Sequence, residues 1–146
     1  YNTHNRIHTR PYEGIAEMLL QLRSDGHRLA VASNKYHEAT TSLVHYYFGD
    51  LFEVVLGERP GVARKPDPQI VSDIRTAIGQ DEEVLYIGDS DVDMQTAKNA
   101  GVESIACTWG FCSRETLLAC QPDHIVNSAK EIVEIVKQKQ GLQRNI

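Results

Sequence analysis

Short, mainly apolar runs that alternate with helical patterns constrain this chain more than any other feature. Leu29–Ala32, Phe52–Leu56, Val84–Ile87, Ser104–Thr108 and His124–Val126 read as strands with no polar alternation. Strands without a wet face belong in parallel sheets covered on both sides. Helical spacing fills the intervals. Ile15, Met18, Leu19 and Leu22 stand at i, i+3, i+4 and i+7, and Gly26 can close that helix. A second helix, Tyr36–Phe48, offers Leu43, Val44, Tyr47 and Phe48. A third starts with Asp67 as N-cap and Pro68 at the first helical position, buries Ile70, Ile74, Ala77 and Ile78, and stops at Gly79. Val92–Ala100 is closed by Gly101, Arg114–Ala119 is capped by Ser113, and Ser128 with Glu131 forms a capping box for a last helix burying Ile132, Val133, Ile135 and Val136. The expectation is an α/β fold with a parallel sheet and helices on both faces.

At 146 residues the chain suits one domain, and its 41% hydrophobic and 24% charged content is ordinary for a soluble globular protein. A net charge of −5 without a Lys/Arg cluster argues against a nucleic-acid partner. No apolar run approaches the roughly 18 residues of a membrane span, and no signal peptide is evident. Cys107, Cys112 and Cys120 are odd in number and lack C-x-x-C spacing, so reduced thiols and a cytoplasmic location are expected, and zinc is not.

Ligands of open parallel sheets bind beyond the carboxyl ends of the strands. Ser33, Asn34 and Lys35 follow the first run, and RKPDP (Arg64–Pro68) precedes a helix. YIGDSDVDM (Tyr86–Met94) sets Asp89, Asp91 and Asp93 within five positions at the mouth of the third run. Two such charges about 5 Å apart repel by roughly 3 kcal/mol at an effective dielectric near 20, so a metal, a lysine or water must offset them. Ser33 with free N–H groups at a helix start would suit a phosphate, though a plain N-cap is the commoner role. Lys65 by itself reads as a solvated loop lysine unless Pro66 and Pro68 fix its direction. Asp89 and Asp93, four apart, would share one face of a helix starting near Ser90. A hard cation such as Mg2+, held by one or two carboxylates plus water and phosphate, fits that pair. An EF-hand is excluded, because its sixth and twelfth positions would be Met94 and Ala100.

VASNK (Val31–Lys35), RKPDP and VLYIGDSDVDM (Val84–Met94), in that order, resemble the second, third and fourth motifs of the haloacid dehalogenase-like hydrolases. GVESIACTWGF (Gly101–Phe111) and PDHIV (Pro122–Val126) are similar to the phosphoglycolate phosphatase branch. The resemblance covers the chain from Arg10 onward. It implies a Rossmann-like core and a Mg2+-dependent phosphomonoester hydrolase that works through an aspartyl-phosphate on a small phosphorylated metabolite, phosphoglycolate-like. In those terms Ser33 and the Asn34 N–H bind the phosphoryl group, and Lys65 bridges phosphoryl oxygens and nucleophile. Asp89 ligates Mg2+ with Asp93 in support. Lys35 is a looser substrate contact, and Asp91 is an exposed first-turn acid.

One departure stands out. The family's first motif, an Asp-x-Asp pair on a central strand, has no counterpart here. Only Glu13, Glu17 and Asp25 precede Ser33 as acids. The cap is missing too. Residues 1–12 are expected to be a cap-to-core linker remnant, and residues 13–146 the C-terminal portion of the core. The isolated chain is therefore expected to be inactive. Three options stand for the missing strand: a second chain or fragment, loss by proteolysis or truncation, or rearranged pairing. The alternative function is a catalytically dead phosphate- or metal-binding or interaction module. A phosphorelay receiver domain is excluded, because its acidic pair comes first and its lysine last. Trp109 is expected in the core, and none of the histidines shows ligand spacing outside His4 and His8.

Overall fold

The structure, a computed structural model, describes residues 14–79 and 83–144. The expected linker at residues 1–12, with His4 and His8, lies outside the described residues. Elements run α1 (Ile15–Ser24), β1 (Ala30–Tyr36), α2 (His37–Phe48), β2 (Val54–Glu58), α3 (Gln69–Ile78), β3 (Leu85–Gly88), α4 (Asp91–Ala100), β4 (Glu103–Cys107), α5 (Arg114–Ala119), β5 (His124–Val126) and α6 (Ala129–Arg144). The α/β alternation is as the sequence predicts. No helix among the described residues is long and apolar enough to cross a membrane.

Every strand pair is parallel, but the strands form two separate sheets, β1-β2 and β3-β4-β5. β1 and β3 thus each keep one unpaired edge, and no rearranged pairing joins them among the described residues. Between them lies a cavity of about 970 Å3, lined by 30–35 of β1 and 84–89 around β3. Met18, Leu22, Ile132 and Val136 reach it from α1 and α6, and Val71 and Ile74 from α3. The strands were expected to be fully covered; instead β1 is only half-buried, and Ile87 is 38% exposed. Their composition suits a covered sheet, while a neighbour that would cover them is absent from the described residues.

The fully buried core lies under the three-stranded sheet. Ile105 and Val126 pack with Met18, Leu22, Ile132 and Val136, so α1 and α6 close one face. Ile70 and Val71 of α3 pack with Tyr86 and Ala97, and with the partly buried Ala32 and Leu56. α3 therefore bridges both sheets. Ala77, expected in that core, is exposed, and Val71 takes the inward position.

Most caps follow the sequence. Ser113 accepts from Thr116 N at 3.2 Å, Gly101 adopts the left-handed conformation behind α4, and Glu131 accepts from Ser128 N at 2.8 Å. α3 differs by one residue: Pro68 is the N-cap, while the Asp67 carboxylate accepts from Gln69 N at 2.9 Å.

β1 runs further than predicted. It passes through Ser33-Asn34-Lys35, and α2 begins only at His37. Pairing jumps from Ala32↔Leu56 to Tyr36↔Glu58, so Ser33, Asn34 and Lys35 bulge out of the ladder. Thr40, 3% exposed, donates to Lys35 O and Tyr36 O, each at 3.1 Å, and Gly57 N donates to His37 Nδ1 at 3.0 Å. A Cβ on Gly57 would sit 2.6 Å from His37 Cα and from Lys35 O. Both are backbone atoms that cannot rotate away. Gly57→Ala is expected to cost about 1–3 kcal/mol, the usual range for overpacking, read as a lower urea midpoint. An unchanged midpoint would mean that the bulge tolerates the methyl group.

Candidate active site

Ser33, Asn34, Lys65, Asp89 and Asp93 all line a single cavity that runs between β1 and β3 to their carboxyl ends. Chain connectivity brings them there from three separate segments. β1 delivers Ser33 and Asn34 on its bulge, the loop before α3 delivers Lys65, and β3 with the start of α4 delivers the aspartates.

The Lys65 loop is held by its backbone. Asn34 grips it with both ends of its amide: Nδ2 donates to Lys65 O at 3.1 Å, and Oδ1 accepts from Lys65 N at 2.9 Å. Asn99 Nδ2 donates to Pro66 O at 2.8 Å from α4. The Lys65 ammonium then donates to Asp93 Oδ1 at 2.7 Å and to Ala32 O at 3.2 Å. It also stands 5.9 Å from the centre of the Tyr86 ring, a cation–π distance. An ammonium has three donors, so one remains for a group in the cavity. Lys65 is thus a fixed, largely buried charge, and the solvated-loop alternative fails.

Asp93 is 8% exposed, and both of its carboxylate oxygens are engaged. Oδ1 takes Lys65 Nζ at 2.7 Å and the Tyr86 hydroxyl at 3.3 Å, and Oδ2 takes Asp89 N at 3.1 Å. Its own N–H donates to Ser90 Oγ, the α4 N-cap, at 3.1 Å. Burial pushes the carboxyl pKa up, but the Lys65 charge and hydrogen bond, with the Asp89 N–H and Ser90, outweigh it and leave the group below its ordinary range. Burial, then Asp93, raises the Tyr86 phenol, which stays protonated as a donor.

Asp89 is arranged differently. The sequence puts it on one helical face with Asp93, whereas α4 starts at Asp91 and Asp89 lies in the turn ahead of the Ser90 cap. Phe111 N donates to its Oδ2 at 3.1 Å, and Cys112 N donates to its carbonyl at 3.0 Å. No bond to its Oδ1 occurs among the described residues. Asp91 is exposed, as expected, with Cys112 Sγ 3.8 Å from its Oδ1.

A Mg2+ ion would find hard oxygen donors here. The open Oδ1 of Asp89 can serve it directly, while Asp93 is committed to Lys65 and to the Asp89 backbone. No group of three or more acidic, His or Cys side chains suited to a metal occurs among the described residues. Mg2+ keeps several waters and takes only one or two carboxylates.

Ser33 is not at a helix start. Its Oγ accepts from Lys35 N at 3.0 Å inside the bulge, which turns the plain N-cap alternative aside and leaves the hydroxyl proton to donate. Burial lowers the Lys35 pKa.

Sequence reasoning missed Tyr86, Gly88 and the Gly110-Phe111 pair. Tyr86 looked like one more apolar strand residue. A Cβ on Gly88 would lie 2.4 Å from Asp93 Cβ, and one on Gly110 would lie 2.1 Å from Asp89 Oδ2. A glycine at the end of β3 and another shortly past β4 were the available signal. Trp109 is partly buried against the main core and also lines the cavity. Cys107 is pushed up to about 12 by burial and then by the Asp89 and Asp93 charges, so it is a neutral thiol rather than a nucleophile.

The chain is similar to known proteins over most of its length. A phosphoglycolate phosphatase from Rhodobacter capsulatus is 37% identical over 112 residues, covering 76% of this chain and 50% of that protein. Pyrophosphatase PpaX from Halalkalibacterium halodurans is 28% identical over 145 residues, covering 95% of this chain and 67% of that protein. A crystal structure of a provisionally assigned phosphoglycolate phosphatase from Lactobacillus delbrueckii superposes with a TM-score of 0.87 at 38% identity, covering 92% of this chain and 56% of that one. The chain thus spans about half the length of the first of these relatives. The family model of haloacid dehalogenase-like hydrolases matches residues 1–107, which take in the Ser33 bulge, the Lys65 loop and the Asp89–Asp93 turn, and the chain belongs to that family.

Proposed function

We propose that this chain is the larger part of the core of a Mg2+-dependent phosphatase acting on a small phosphorylated metabolite, phosphoglycolate-like. The observation that carries the reading is the convergence of Ser33, Lys65 and Asp89 on one cavity, with Lys65 pinned by Asp93 and Asp89 pinned by Phe111 N–H. Phosphoryl transfer is catalysed mainly by positioning and by neutralising charge on the equatorial oxygens. The free donor of Lys65 and the Ser33 hydroxyl bind those oxygens, and the Asn34 amide holds the Lys65 backbone in register. Asp89, with Asp93 behind it, holds Mg2+, whose charge offsets that of the phosphate.

The attacking carboxylate comes from a strand that fills the space between β1 and β3. It forms the bond to phosphorus as the ester oxygen leaves, and water then releases phosphate from the aspartyl-phosphate. The unpaired edges and the apolar lining support a single parallel strand there, supplied by a preceding segment or by a separate polypeptide. The reduced thiols suit a cytoplasmic enzyme.

In a full-length protein, Lys65→Ala and Asp89→Ala are each expected to lower phosphate release from a panel of phosphorylated metabolites by about 100-fold or more, the usual loss when a charge-stabilising group is removed. Unchanged turnover in both variants would sink the proposal. Mg2+ and phosphate binding with no turnover by the full-length protein would favour a binding module.

A further inference from the structure

The loop after β4 holds one oxygen of Asp89 with backbone alone. Phe111 N donates to Oδ2 at 3.1 Å, Cys112 N fixes the Asp89 carbonyl at 3.0 Å, and Oδ1 has no partner among the described residues. The Phe111 side chain is 75% exposed and takes no part in these bonds. Gly110 makes the approach possible. A Cβ there would stand 2.1 Å from Asp89 Oδ2, 2.3 Å from its Cβ and 2.5 Å from its Cγ. Gly110 is not among the glycines with positive φ, so space rather than backbone conformation demands glycine. Rotating the carboxylate cannot relieve a clash that includes Cβ, so either the loop or the whole of Asp89 must move.

We infer that Gly110 is a positioning residue for Asp89: its missing side chain lets the Phe111 N–H clamp Oδ2 and leaves Oδ1 directed to a divalent cation. The inference rests on the reading of Asp89 as a Mg2+ ligand. A hydrogen bond that fixes a ligand carboxylate typically accounts for 10- to 100-fold in metal affinity.

The test is Mn2+ binding to the full-length protein by electron paramagnetic resonance, which needs no turnover. Gly110→Ala is expected to weaken Mn2+ binding about tenfold or more. Phe111→Ala keeps the N–H and should stay within about twofold, well below the effect of losing the clamp. Replacing Phe111 by its α-hydroxy acid turns the N–H donor into an ester oxygen, and binding should fall as with Gly110→Ala. Should Gly110→Ala not fold, the ester decides. Asp89→Asn separates the two readings. If it abolishes binding while Gly110→Ala and the ester bind as the parent does, the clamp is overturned and the ligand reading stands. Unchanged binding by Asp89→Asn overturns both.

Discussion

Asp93→Asn is expected to cost about 3–5 kcal/mol of folding stability, because it strands a buried ammonium. The Lys65 and Asp93 side chains are only 10% and 12% exposed, and their charged atoms lie 2.7 Å apart. Solvent therefore cannot replace the lost partner, as it would for a surface pair. Lys65→Met combined with Asp93→Leu removes both charges and should restore much of the loss, since a matched apolar pair avoids the desolvation cost. Urea unfolding of the parent, Lys65→Met, Asp93→Leu and the double variant measures the coupling directly. A loss below about 1 kcal/mol in Asp93→Asn would mean that the pair is solvated in the molecule.

The same pair sets an acid limb. The folded Asp93 carboxyl lies below its unfolded value of about 3.9. Its stabilisation is therefore complete above pH 3.9 and is lost as pH falls through the folded pKa. Between neutral pH and pH 5 this group should contribute no slope. Below about 4 the parent should lose stability faster than Asp93→Asn, which has no proton to take up there.

The second large effect concerns the space between β1 and β3. A polypeptide that adds one parallel apolar strand there is expected to raise the thermal midpoint by about 10 °C or more. Burying four or five apolar side chains of that strand against the incompletely buried lining, such as Val31, Leu85 and Ile87, gains about 1.5–3 kcal/mol each before ordering costs of about 1–2 kcal/mol per residue. For a domain of this size a few kcal/mol net moves the midpoint by that amount. Both unpaired edges would gain ladder hydrogen bonds, so amides of 30–32 and 85–87 should become protected from exchange. Without the strand the open edges invite association with other chains. Exchange at those amides that does not change when the strand is added would show that the strand lies elsewhere.

The sequence determined the elements and their order. Apolar runs, Gly and Pro punctuation, and the caps at Ser113, Gly101 and Glu131 act over a few residues, so their physics is visible in a short window. It also named the residues that meet in the cavity, because strand ends in a parallel sheet all face one pole. What it could not assign was the partner of each charge. Asp89 and Asp93, four apart in one motif, read as a metal ligand and its support on one helical face. Three-dimensional packing separates them: Asp93 is drawn into the core by Lys65 from 28 positions away, and Asp89 is held by Phe111 N–H from 22 positions away. Gly88 and Gly110 likewise carry no local signal beyond being small, because the atoms they make room for belong to side chains that only folding brings close. The divided sheet is also a tertiary fact. Each strand looks complete by composition; the resemblance already implied a missing central strand, and the pairing shows the open edges on β1 and β3.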